Sequence, residues 1–218
     1  MAGHNKADDT RMYTSWIICI ISVLSHTTFL PTIHSFFRRR YAFESAMALF
    51  GFAASLLYHI CQDLNIEIFM DEGAWHRMDN IFVLSFVGAW SVYMCTFRDP
   101  FVERITKYSL LMVCMIFQAR GPWQPINTIA PVILSLSLPI CVYAYRWQVP
   151  AFFGKRLAAF AVTMVIAVWF FIKGLDDKRD PFKIYHSMWH FLCGIASYMM
   201  WTMVRVPGAT GLLGKEGV

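Results

Sequence analysis

The sequence predicts an all-α membrane protein: a seven-transmembrane-helix bundle with its N-terminus outside and its C-terminus cytoplasmic. Three observations predict it. The 218 residues are 57% hydrophobic and only 15% charged, where a soluble domain carries roughly a quarter charged residues. The apolar residues gather into long blocks rather than into stripes of period 2 or 3.6. Seven of these blocks approach the ~20 residues that a hydrocarbon core of about 30 Å requires.

The first block, near 13–35, follows a polar tail, and no A-x-A-like cleavage site comes after it. It therefore reads as a retained span rather than a signal peptide. The run Arg38–Arg40 just beyond it is a topology anchor that touches anionic lipid at a cytoplasmic helix end. The second span, 43–62, carries Ser55 and His59 one turn apart, and the third, 77–97, opens on Asp79. The fourth, 104–119, is the shortest. Pro131 and Pro139 kink the fifth, 125–145. The sixth runs over 152–173, and the seventh, 184–204, holds His186 and His190. The connectors are short. The chain thus divides into an extracellular tail (1–12), a membrane domain (13–205) and a cytoplasmic tail (206–218).

Charge sets the orientation. With the N-terminus outside, the inner side collects eleven of the nineteen Lys and Arg residues against four acids, and the outer side eight against ten. The basic bias and the early position of Arg38–Arg40 both favour this arrangement. The formal charge of +5 then needs no nucleic acid to explain it. The six cysteines lie singly within spans, with no C-x-x-C pair and no disulfide framework, and read as small packing residues.

Ionisable groups inside spans are costly and mark functional sites. Counted from the outer helix ends, His59, Asp79, His186 and His190 fall at similar depth although they come from three remote stretches. His186 and His190, four apart, share one helix face. Such a pair alone is as often ordinary packing as a metal site, but His59 completes three imidazoles, the number a catalytic zinc takes while keeping a position for water. Asp79 is placed to orient an imidazole or accept a proton from that water, and Ser55 to bond the water or a polarised carbonyl. His76, in the loop before the third span, is a substitute ligand. His26 (mid-membrane), His34 (near the cytoplasmic end) and His4 (in the tail) do not match the depth. Asp176 to Asp180 read as a solvated outer loop, and Trp75, Trp123, Trp147, Trp189 and Trp201 as interfacial anchors.

The set Ser55-x-x-x-His59, Asp79 at the start of the third span, and His186-Ser-x-Trp-His190 resembles the CREST superfamily of seven-span proteins. That resemblance implies zinc held by His59, His186 and His190, with Ser55 and Asp79 as the accompanying polar pair. FLPTIHSFFRRR (29–40), ESAM (44–47) and LLYHIC (56–61) are most similar to the myomaker branch, although the tail GATGLLGKEGV lacks that branch's cysteine cluster.

Two functions follow from the resemblance. The branch implies a plasma-membrane protein of cell–cell fusion, in which zinc staples two helices. The superfamily's ceramidase members imply a membrane-embedded zinc hydrolase of a lipid amide or ester, with Asp79 and Ser55 assisting. The residue types permit both, and the branch resemblance, as the more specific, puts fusion first and the hydrolase as its alternative. The expected partners are membrane lipids, a lipid substrate in the second case, and a second copy in a homodimer. The plasma membrane is the expected location, with Golgi and other internal membranes as alternatives.

Overall fold

The computed structural model describes residues 6–147, 151–176 and 178–205. His4, Asp177 and the predicted cytoplasmic tail lie outside the described residues. Helices dominate the architecture: α1 Lys6–Ser25, α2 Leu30–Arg39, α3 Ala42–Leu64, α4 Glu72–Cys95, α5 Pro100–Ala119, α6 Pro125–Arg146, α7 Gly154–Lys173 and α8 Ile184–Thr202. Among the described residues five helical segments are long and apolar enough to cross a membrane: Tyr13–Arg39, α3, α4, α6 and α7. The protein is therefore a multi-pass integral membrane protein. Of the other two long helices, α5 carries Glu103, Arg104 and Lys107 in its first half. α8 has no such charge, but its histidines, serines and tyrosines dilute its apolar character.

The first span is not one helix. α1 starts at Lys6, within the predicted tail, and stops at Ser25; a single 3-10 turn, His26–Phe29, follows, and α2 then continues to Arg39. Pro31 causes the break. It lacks an N–H, and its ring would collide with the Thr27 carbonyl of a continuous α-helix. Two hydroxyls cover carbonyls at the break: Ser25 donates to Ser22 O (2.6 Å) and Thr27 to Leu24 O (2.8 Å).

The broken span is a wedge. α1 packs on both α3 and α8, and the 3-10 turn lies directly on α8. On one side α3 leads to α4, which packs in turn on α5 and α6; on the other side α8 carries α7. α4 is the most deeply buried candidate span and α7 the least. Gly194 allows the wedge its close fit. A Cβ there would lie 2.7 Å from the Thr28 carbonyl carbon, and the Thr28 hydroxyl donates to Phe191 O at 2.9 Å. Nearby, Thr32 and Ser197 join their hydroxyls at 2.8 Å. Small residues and hydroxyl bonds are the usual means of close helix contact in a membrane.

Towards the Arg39 end of α2 the core is aromatic: Phe36, Trp90 and Trp201 are buried together with Met94, Met200 and Met203. Trp201 is 3% exposed and packs edge-on against Phe36 at 4.9 Å. It is a core residue rather than an interfacial anchor, whereas Trp147 is 94% exposed. Glu44 and Lys107, counted in the sequence as inner-side charges, are buried and meet at 2.5 Å, with Glu103 on the same ammonium at 2.5 Å. Arg146 donates to Cys95 O at 2.6 Å and so covers the C-terminus of α4. A short antiparallel pair, Ala151–Phe152 with Val204–Arg205, ties the chain before α7 to the chain after α8.

Replacing Gly194 with Ala forces a methyl group into the Thr28 backbone. The expected cost is about 1–3 kcal/mol, read as a lower unfolding midpoint of the detergent-purified protein, while Ala196→Gly on the same helix lowers it by no more than about 1 kcal/mol.

Candidate metal centre

Three helices and the 3-10 turn supply the site. α3 presents Ser55, Tyr58 and His59 in its last three turns, α4 presents Asp79 in its second turn, and α8 presents His186 and His190 in its first two. His59 is fully buried. The Nε2 atoms of His59 and His190 are 3.1 Å apart, and those of His190 and His186 are 3.0 Å apart. The centroids of the three rings lie 4.8 to 5.1 Å apart.

Hydrogen bonding alone does not account for this arrangement. A neutral Nε2 offers one in-plane site, either a proton or a lone pair, yet His190 Nε2 has an imidazole nitrogen on each of two sides. The rings are splayed, with interplanar angles of 80° (His59–His190), 70° (His186–His190) and 64° (His59–His186). Tetrahedral zinc at about 2.0–2.1 Å from each nitrogen separates its ligand atoms by about 3.3 Å. The two nitrogen separations at His190 are within a few tenths of an ångström of that value, so its pairings with His59 and with His186 are each spaced as ligands of one such ion. His59 Nδ1 is buried and has no hydrogen-bond partner, so the partner that usually orients a ligating histidine is absent at this ring.

Asp79 is 8% exposed and faces the Ser55 hydroxyl, while its Oδ1 is buried without a partner. An unpartnered buried carboxylate oxygen is expensive and calls for a functional explanation. Ser55 lies 2.9 Å from His26 Nε2 and so joins Asp79 to the imidazole cluster.

His26 is also at the site, which corrects its exclusion by depth. Its ring stacks on His190 with centroids 4.2 Å apart and lies 5.3 Å from His59. Nitrogen atoms of His26, His59 and His190 all lie within 4.8 Å of one another. Depth was counted from the outer helix ends, and α1 overhangs that end by starting at Lys6. Counted from the inner ends, His26 is 13 residues from Arg39 and His190 is 12 from Thr202, or about 20 and 18 Å at ~1.5 Å per residue. Measured from that side the sequence already carried the match.

His76 belongs to α4 rather than to a loop. It stacks on Trp123 at 3.8 Å and lies 4.9 Å from the Tyr58 ring, so its ring is engaged by aromatic neighbours rather than by the imidazole cluster. Asp180, predicted to be solvated, is 5% exposed. Its carboxylate accepts from the N–H groups of Ile184 (2.8 Å) and His186 (3.1 Å), capping α8 where the ligand pair begins. The N-cap residue itself, Lys183, holds a left-handed φ of 50°. Its ammonium is drawn across to α3, where it bonds the Gln62 carbonyl oxygen and Asp63 Oδ1, the latter at 2.6 Å. Gln62 in turn donates to Tyr58 OH (2.9 Å) and Glu72 Oε1 (3.0 Å). This polar lattice joins the ends of α3, α4 and α8 just beyond His59 and His186.

The model of a family described as protein of unknown function, DUF3522, matches residues 14–191, a stretch that includes every residue of the centre. The chain belongs to that family. No curated protein matches it.

Replacing Asp180 with Ala removes the cap of α8, an expected loss of about 1 kcal/mol seen in the thermal midpoint. Metal affinity falls with it, because His186 loses the bond that fixes its backbone. Asp176→Ala, at an exposed position, leaves both unchanged.

Proposed function

We propose that this member of the DUF3522 family is a seven-span protein, N-terminus out, that binds one Zn2+ through His59, His186 and His190 and hydrolyses an amide or ester bond of a membrane lipid. The observation that carries the reading is the buried, unpartnered oxygen of Asp79, whose carboxylate meets Ser55, itself 2.9 Å from the His26 ring that stacks on His190. A zinc that only clamped helices would not need a buried carboxylate with a free oxygen next to it. Zinc bound there supplies a Lewis acid that polarises a carbonyl and lowers the pKa of water. Asp79 takes the proton of the attacking water and returns it to the leaving nitrogen or oxygen. Ser55 holds the water, and the burial of His59 and Asp79 excludes bulk solvent.

The myomaker-like segments at 29–40, 44–47 and 56–61 support a second reading, a plasma-membrane protein of cell–cell fusion in which the same zinc joins α3 to α8. One set of variants separates the two. Wild-type protein purified in detergent is expected to carry about one zinc per chain by elemental analysis, and His190→Ala to lose most of it. Asp79→Asn retains the metal and the fold while lowering turnover of a ceramide or an acyl ester by at least about 100-fold, the range general acid–base groups contribute. Lipid turnover that survives Asp79→Asn removes Asp79 from the acid–base role, and absence of turnover by the wild type sinks the hydrolase reading. Cell mixing that survives Asp79→Asn but not His190→Ala favours fusion with a structural metal.

A further inference from the structure

A groove of about 520 Å3 opens where α2 turns into α3, at the opposite end of α3 from the metal centre. Phe37, Ala42, Ala46, Leu49 and Phe50 wall it, and Arg40 completes the lining. The volume falls within the range of about 300–1,000 Å3 common to ligand pockets. Residue spacing builds the wall. Ala42, Ala46 and Leu49 share one face of α3 at i, i+4 and i+7, and the two alanines leave room that a larger side chain would fill. Phe37 and Phe50 are both more than half exposed, and Phe50 is held by stacking on Phe82 at 5.8 Å. From Ala42 to Phe50 the wall rises about 12 Å, most of the ~15 Å of hydrocarbon in one leaflet.

Arg40 is exposed and, among the described residues, pairs with no carboxylate. Glu44, the acid in the first turn of α3, is buried and bound to Lys107 at 2.5 Å, so it does not neutralise the arginine. Arg40 follows α2 with a left-handed φ of 57°, a position where glycine carries the least backbone cost. The turn itself therefore does not account for an arginine. Its guanidinium, next to Arg38 and Arg39 in the last turn of α2, offers a planar fork that matches phosphate. We propose that the groove is a seat for one anionic phospholipid, with an acyl chain along the α3 wall and the headgroup phosphate on Arg40. Such a seat differs from the diffuse attraction of a basic run to a charged surface. It is saturable, takes one lipid per chain and depends on the shape of its apolar wall. A zwitterionic headgroup is a poorer occupant, because its ammonium returns positive charge beside three arginines. The seat is independent of the metal and of any reaction at the other end of α3.

The test is equilibrium binding of dioleoylphosphatidylserine to the full chain purified in detergent, counted by native mass spectrometry, with dioleoylphosphatidylcholine as the zwitterionic comparison. The wild type is expected to saturate at one phosphatidylserine and to prefer it by about fivefold or more. Arg40→Gly is expected to abolish that preference while leaving the unfolding midpoint unchanged or raised, because glycine suits the left-handed position. Ala46→Phe keeps every charge but fills the groove, and is expected to weaken binding by about tenfold or more. Lys155→Gln, which removes an exposed base elsewhere, is expected to bind as the wild type does. Dibutanoylphosphatidylserine, with the same headgroup on short chains, is expected to bind the wild type at least about tenfold more weakly. Undiminished binding of the short-chain lipid, or of the long-chain lipid to Ala46→Phe, overturns the proposal. Equal losses in Arg40→Gly and Lys155→Gln, the behaviour of a diffuse anchor, also overturn it. So does a wild type that shows no preference for phosphatidylserine.

Discussion

The contact of Gly194 with the Thr28 backbone is the constraint on which the rest of the site depends. Lipid chains are as apolar as leucine, so helices in a membrane are held by close packing and by hydrogen bonds rather than by a hydrophobic drive to associate. At Gly194 the α8 backbone comes close enough to the 3-10 turn for Thr28 to bond Phe191 O. The first span is thus pressed against α8 at the level of His190. Because the same span also packs on α3, the two helices that carry the imidazoles are held at a fixed separation by a third element between them. The 3.1 Å between His59 and His190 follows from that spacing as much as from the histidines' own placement, while the 3.0 Å between His186 and His190 is set within α8.

Two polar systems close the arrangement at opposite ends. Beyond the histidines, Lys183, Gln62, Asp63, Glu72 and Tyr58 join α8, α3 and α4 in a connected lattice. At the other end of α3, Glu44 and Glu103 share the Lys107 ammonium between α3 and α5. Buried ion pairs stabilise little by themselves, because desolvation offsets most of their attraction. They penalise any register in which one partner is left alone, and this suits a site in which a shift of one helical turn would separate the imidazoles.

Much of the architecture was legible in the sequence. Block lengths predicted α3 to α8 to within about five residues, since apolar length is what a bilayer selects, while the first span starts at Lys6 and is broken at His26–Phe29. The spacing of His186 and His190, and the depth of His59 and Asp79, predicted the convergence. The errors have a common origin. His26 was set aside because its depth was counted from an end that the helix overruns. Asp180 was assigned to solvent because charged loops usually are solvated, and Trp201 to the interface for an equivalent reason. In each case the deciding partner is far away in sequence or, for Asp180, is the backbone of the next helix.

By itself the sequence determined the membrane class, the helices and the small set of polar residues that a hydrocarbon interior would not tolerate without a purpose. All of these follow from one-dimensional quantities: length, composition and distance from a helix end. Only the tertiary structure decided which helix lies between which others, and so that His26 meets Ser55. Neighbourhood in a bundle is set by contacts such as Gly194 against Thr28, between residues 166 positions apart, and no local pattern in the chain announces a pairing of that kind.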